Sequence, residues 1–112
     1  MDEPQHIPRT HAWSIEKIQH HKTFFISGDR HIAELSRMKV KDLPYTLYDF
    51  TASGLTHTWD SATEENKYRV GELIKQKNFG IIRIDWSRST PTLLLEVYST
   101  NSKRYLSYVI SF

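Results

Sequence analysis

The last third of the chain constrains the fold most. It holds three apolar runs rich in β-branched and aromatic residues, Phe79–Trp86, Thr92–Tyr98 and Arg104–Phe112. The breaks between them, Ser87-Arg-Ser-Thr-Pro91 and Ser99-Thr-Asn-Ser102, are short and made of turn-forming residues. Such runs fit a pleated, half-buried surface. Breaks this short cannot hold the crossover that parallel neighbours require. The three segments are therefore expected to form a three-stranded antiparallel meander.

The upstream pattern is less regular. Residues 1–13 read as an irregular lead-in, with Pro4 and Pro8 opposing regular structure. Ser14–His21 can form two helical turns with Ser14 as the N-cap and Ile15 and Ile18 sharing a face. Thr23-Phe-Phe-Ile26 is unalternated and apolar, and predicts a strand buried on both faces, as in an α/β interior. Tyr45–Thr51 predicts a second strand. Segment 58–78 is polar and reads mostly as loop, with a short helix over Glu72–Lys77.

Composition bounds the rest. A chain of 112 residues is one unit, 1–112, rather than two domains. It has no cysteine, which excludes a disulfide scaffold, thiolate metal sites and a cysteine nucleophile. Lys+Arg 15 against Asp+Glu 13 is nearly balanced and the basic residues are scattered, so no nucleic-acid partner is expected. The acidic, polar start Met1-Asp-Glu-Pro-Gln-His lacks the form of a signal peptide, and no apolar run reaches a membrane span. A soluble protein is expected.

Two segments share a pattern that points to a site. Thr23–Ile26 runs into Ser27-Gly-Asp-Arg-His31, and Tyr45–Thr51 runs into Ala52-Ser-Gly-Leu-Thr-His57. Each is a strand leading into a Gly-containing turn that carries a histidine. In α/β sheets, ligands sit beyond the carboxyl ends of strands. Asp29 and His31 supply an oxygen and a nitrogen donor suited to zinc, iron or manganese. The competing reading makes Asp29 a turn cap and His31 an ordinary loop residue. His6, His11, His20 and His21 match no closed metal pattern.

The stretch Phe25-Ile-Ser-Gly-Asp-Arg-His-Ile-Ala-Glu-Leu35 resembles the final metal-binding motif of the alkaline-phosphatase-D-like (PhoD-like) metallophosphatases, within the calcineurin-like metallophosphoesterase superfamily. Leu47–His57, Asn66–Val70 and Asn78–Trp86 resemble further blocks of that family in the same order, so the likeness covers roughly residues 22–112. The resemblance implies the C-terminal portion of an αββα sandwich, α/β in class and β-rich, ending in the meander. It implies His31 as a metal ligand and Asp29 as a ligand or an orienting partner. His57, Arg69, Asn66 and Glu34 become candidates for the cleft or for substrate binding. Arg69 would grip a phosphate oxygen or form a salt bridge, and Glu34 would orient His31 or cap a helix.

The chemistry implied is phosphoester hydrolysis by a bridging hydroxide on two metal ions, of iron, calcium, manganese or zinc. The superfamily's earlier ligand motifs, Asp-x-His and Gly-Asn-His, are absent from this sequence. The expectation is therefore a C-terminal part with no complete catalytic set, inactive alone, whose metals need ligands from an N-terminal half or another chain. The family likeness is compatible with an extracytoplasmic location, and the sequence itself assigns none. The alternative is a non-catalytic binding or assembly module that pairs through exposed sheet edges.

Overall fold

The computed structural model describes residues 18–19, 21–59, 61–62 and 65–111. These form seven strands: β1 (Phe25–Ser27), β2 (Ala33–Met38), β3 (Leu47–Ala52), β4 (Arg69–Ile74), β5 (Asn78–Asp85), β6 (Thr92–Ser99) and β7 (Arg104–Ser111). The expected meander is present as a three-stranded sheet of order β5-β6-β7, antiparallel throughout. The other four strands make a mixed sheet of order β1-β3-β2-β4, in which β1 runs parallel to β3 and the other pairs are antiparallel.

The two sheets share one core. On β6, Leu93, Leu95 and Val97 are buried at two-residue spacing, which is what alternation dictates for one inward face. They meet Ala33, Leu35 and Phe50 of the mixed sheet, with Ile74 and Ile110 closing the cluster. The sheets approach closely at Gly80 of β5, where a Cβ would lie 2.9 Å from Ala52 Cβ and 3.1 Å from Phe50 Cε2. Glycine is required there because backbone, rather than a side chain, fills the gap. At one end of the core, Arg37 of β2 donates to the Tyr108 hydroxyl of β7 at 2.8 Å, and Tyr48 and Tyr108 hydroxyls lie 3.3 Å apart. That bond holds the Arg37 guanidinium above its ordinary pKa. Burial, followed by the Tyr108 hydrogen bond, raises Tyr48.

Several upstream expectations need correction. Thr23–Ile26 was expected to be buried on both faces, but β1 is an edge strand with a neighbour only on the β3 side. Phe25 and Ile26 are 42% and 69% exposed. Ala33–Met38 forms a strand that no expectation from the sequence covers. Glu34 therefore caps no helix. The helix expected over Glu72–Lys77 is replaced by β4, whose backbone pairs with β2. Its pattern is obscured because four residues of β4 span two of β2: Ala33 faces Ile74 but Leu35 faces Val70. This bulge holds Gly71 at φ 78, a conformation that glycine adopts without a Cβ penalty.

The helix expected over Ser14–His21 lies mostly outside the described residues. Within them, Ile18 is helical and the His21 N–H donates to its carbonyl at 3.1 Å. The described chain is thus β-rich and two-sheeted with almost no helix. No helix among the described residues is long and apolar enough to cross a membrane.

Candidate functional site

Because β1 and β3 are parallel and in register, Ser27 opposite Thr51, their chains leave the sheet at the same end. The two turns singled out from the sequence therefore lie side by side. Gly28–Ile32 follows β1 and Ser53–Trp59 follows β3. Asp29, His31 and His57 come together there, from positions 26 and 28 residues apart in sequence.

A serine clasps the two turns. Ser53 Oγ accepts hydrogen bonds from the backbone N–H of Arg30 (3.2 Å) and of His31 (3.1 Å). The Ser53 N–H donates to the Ile32 carbonyl at 3.0 Å, and Trp59 N–H donates to the His31 carbonyl at 3.0 Å. Gly54 fits beneath this, since a Cβ there would stand 2.6 Å from Asn78 Nδ2 and 3.3 Å from the His31 carbonyl oxygen. Asp29 and His31 both adopt φ 57. The left-handed region is sparsely used by residues other than glycine, and its cost is met here by the surrounding hydrogen bonds.

The consequence is directional. Asp29 and His31 point to the same side, with His31 Nε2 3.8 Å from Asp29 Oδ1. Two donors on one ion, each with a bond near 2.1 Å, lie within about 4 Å of each other, so this spacing suits a shared ion. The His57 ring stands 6.0 Å from that of His31, centroid to centroid, tilted by 38°. Thr56 Oγ1 is 3.1 Å from His57 Nδ1, which leaves Nε2 as the outward nitrogen. All three side chains reach solvent. Among the described residues, no three or more His, Asp or Glu side chains are arranged to hold a metal ion. Asp29 and His31 form a pair of donors and no closed cage.

Glu34, Arg69 and Asn66 form a different constellation. The Glu34 side chain is 3% exposed and accepts from Arg69 Nε (2.5 Å) and from Arg30 Nη1 (3.1 Å). Arg69 is thus held by a carboxylate, and Glu34 faces arginines instead of His31. Asn66 donates to Ser36 Oγ at 2.7 Å and accepts from the Tyr68 N–H at 2.9 Å, which shapes the turn entering β4. Glu34 reaches the loop through Arg30, which sits between Asp29 and His31. Arg30 and Ser53 complete the site although neither is a candidate from the sequence. Ser53 stood in an Ala-Ser-Gly turn, a composition typical of a side chain bonding nearby backbone, but its partners lie more than twenty residues away.

Two other features lie elsewhere. A cleft of about 290 Å³, lined by Lys22, Tyr45, Tyr48 and Ile110 among others, opens at the opposite end of β3. On the outer face of the meander, Glu96 accepts from Arg83 (2.8 Å) and Tyr98 (2.7 Å), with Arg104 at 3.7 Å. The Arg83 hydrogen bond, and then that of Tyr98, holds the Glu96 carboxyl below its ordinary pKa.

No family model, curated protein or solved structure matches the chain.

Proposed function

We propose that this chain supplies the last metal-binding loop of a two-metal phosphoesterase, as the C-terminal portion of an αββα metallophosphatase sandwich. One observation carries the reading. Asp29 and His31 both take left-handed backbone conformations in a loop that Ser53 clasps at Arg30 and His31, and their side-chain donors lie 3.8 Å apart beyond the ends of two parallel strands. The exposed turn residues Asp42 and Ser102 also take positive φ, so it is the 3.8 Å spacing of the Asp29 and His31 donors that points to a shared ion.

The donor set fits part of a hard or borderline metal site. Asp29 Oδ1 and His31 Nε2 are of the kinds that bind iron, calcium, manganese or zinc. His31 would take one ion through Nε2, with Asp29 as co-ligand or as the group that orients the imidazole. When bound, the metal pair supplies charge stabilisation for a phosphoryl group and acidifies water. The chain's own residues bind and aim. Arg30, tied to Glu34, fixes the loop between the two donors, and His57 stands at the rim with an open nitrogen for a phosphate oxygen. The remaining ligands would come from an N-terminal half or another chain, and no catalytic residue is assigned within this one.

The test is metal binding on the chain itself. Manganese or zinc titration, followed by the imidazole resonances, should perturb His31 first and His57 less, and His31→Ala should remove the response. Hydrolysis of p-nitrophenyl phosphate with added manganese, calcium or iron should stay at the level of free metal. Robust turnover abolished by His31→Ala would overturn the incomplete-site reading. A titration that leaves His31 untouched would overturn the metal reading altogether.

A further inference from the structure

The strand edges of this fold are unequal. Natural sheets blunt their edges with short strands, bulges and twists. β1 spans three residues, β4 carries two extra residues and Gly71, and β7 has a register shift between its Leu106 and Arg104 pairings. β5 has none of these devices. Its eight residues keep unbroken register with β6, and its other side has no strand neighbour among the described residues.

The backbone shows which groups that free side offers. The Asn78 N–H points away from β6, donating to the Gly54 carbonyl at 3.1 Å. Backbone groups alternate between the two sides of a strand, so Gly80, Ile82 and Ile84 also present N–H and C=O on the free side. At the far end of that side lie Ile84, 43% exposed although aligned with the core residue Leu93, and Trp86, 72% exposed.

A second copy pairing antiparallel about a two-fold axis must place some residue opposite itself. Centring on Arg83 sets arginine against arginine, and centring on Asp85 sets aspartate against aspartate. Centring on Ile82 gives neither charge a partner of opposite sign. Centring on Ile84 faces Arg83 with the partner subunit's Asp85, and Asp85 with the partner subunit's Arg83. It also sets Ile84 against its own copy with both backbone groups in bonding position, and Ile82 beside the partner subunit's Trp86.

The charges remain available. Arg83 bonds Glu96 through Nε and is 60% exposed, so its other donors are open. Both Ser87 bonds to Asp85 fall on Oδ1, which leaves Oδ2.

We propose that residues 82–86 pair with the same segment of a second copy of this chain, in the one register that opposes Arg83 to Asp85 twice, joining two meanders into a continuous six-stranded sheet. The pairing rests on strand geometry and charge alone, independently of the metal site. The contact strip is short, below the size of a permanent interface, so the dimer should populate with concentration.

Light scattering coupled to size exclusion, run without metal from about 5 to about 500 μM, should show the mass rising from 13.2 kDa towards twice that value. Asp85→Arg places two arginine pairs in opposition and should weaken dimerisation by about tenfold or more, two exposed cross-strand pairs having changed sign. The chain has no cysteine, so single substitutions report contact cleanly. Ile84→Cys should oxidise to a covalent dimer, because directly opposed hydrogen-bonded residues stand about 5.5 Å apart at Cα, within disulfide reach. Val109→Cys, on β7 and 55% exposed, should crosslink far more slowly. A monomer or a polydisperse aggregate across the whole range overturns the proposal. So does a dimer in which Ile84→Cys crosslinks no faster than Val109→Cys.

Discussion

Glu34→Ala should be the most damaging single charge removal in this chain. The Glu34 side chain is 3% exposed and accepts hydrogen bonds from two guanidiniums, one on β4 and one on the β1–β2 loop. Its removal leaves Arg69, whose side chain is 18% exposed, without its carboxylate in a largely desolvated place. Breaking one side of a buried pair costs about 3–5 kcal/mol. Arg69 retains some solvent contact, so a loss of about 3 kcal/mol is expected. With a urea m-value of about 1.5 kcal/mol/M for a domain of this size, the midpoint should fall by roughly 2 M.

Arg30→Ala provides the contrast. Arg30 is 36% exposed, and an ion pair open to water contributes at most about 1 kcal/mol. A double-mutant cycle between Glu34→Ala and Arg69→Ala should recover about 2 kcal/mol of coupling, because each single change removes the same bond. Urea denaturation by tryptophan fluorescence measures all four proteins. A Glu34→Ala loss under 1 kcal/mol, or no coupling with Arg69, would show that water replaces the bond and that this pair does not fasten β4 to β2.

Two further outcomes follow from the packing and from the meander's outer face. Gly80→Val should destabilise by about 1–3 kcal/mol in thermal or urea unfolding, since its side chain would meet Ala52 Cβ and the Phe50 ring at contact distance or closer. The depressed Glu96 carboxyl makes stability depend on acid. Its folded pKa lies below its unfolded value, so its contribution is fully present above the unfolded value, about 4.3. That contribution is lost as pH falls through the folded value. Glu96→Gln should therefore flatten the acid side of a stability-against-pH curve and lower stability near pH 7.

The meander was legible because its information is local. Leu93, Leu95 and Val97 alternate on one strand, and the Ser-, Thr- and Pro-rich breaks leave room for nothing longer than a turn. The site turns were legible for the same reason, since apolar runs end in Gly28 and Gly54 with histidines a few residues on. β4 was not legible. Arg69-Val-Gly-Glu-Leu-Ile74 holds a glycine, two charges and a bulge that breaks its alternation, and it becomes a strand because β2 offers it backbone partners. β2 was not legible because Glu34 and Arg37 interrupt its apolar pattern, and their partners Arg69 and Tyr108 are brought to them only by the fold.

By itself, then, the sequence determined which segments extend and turn, and placed an aspartate and a histidine two residues apart just past a strand. The parallel pairing of β1 with β3, which sets His57 beside His31, was decided only by the tertiary structure. So were the clasp of Ser53 on the Asp29–His31 loop and the choice of Arg69 as the partner of Glu34. Local propensity depends on neighbours a few residues away and leaves its mark in the chain. Each of these contacts joins residues 22 to 35 positions apart, and its identity depends on which strand edges meet when the two sheets close on their shared core.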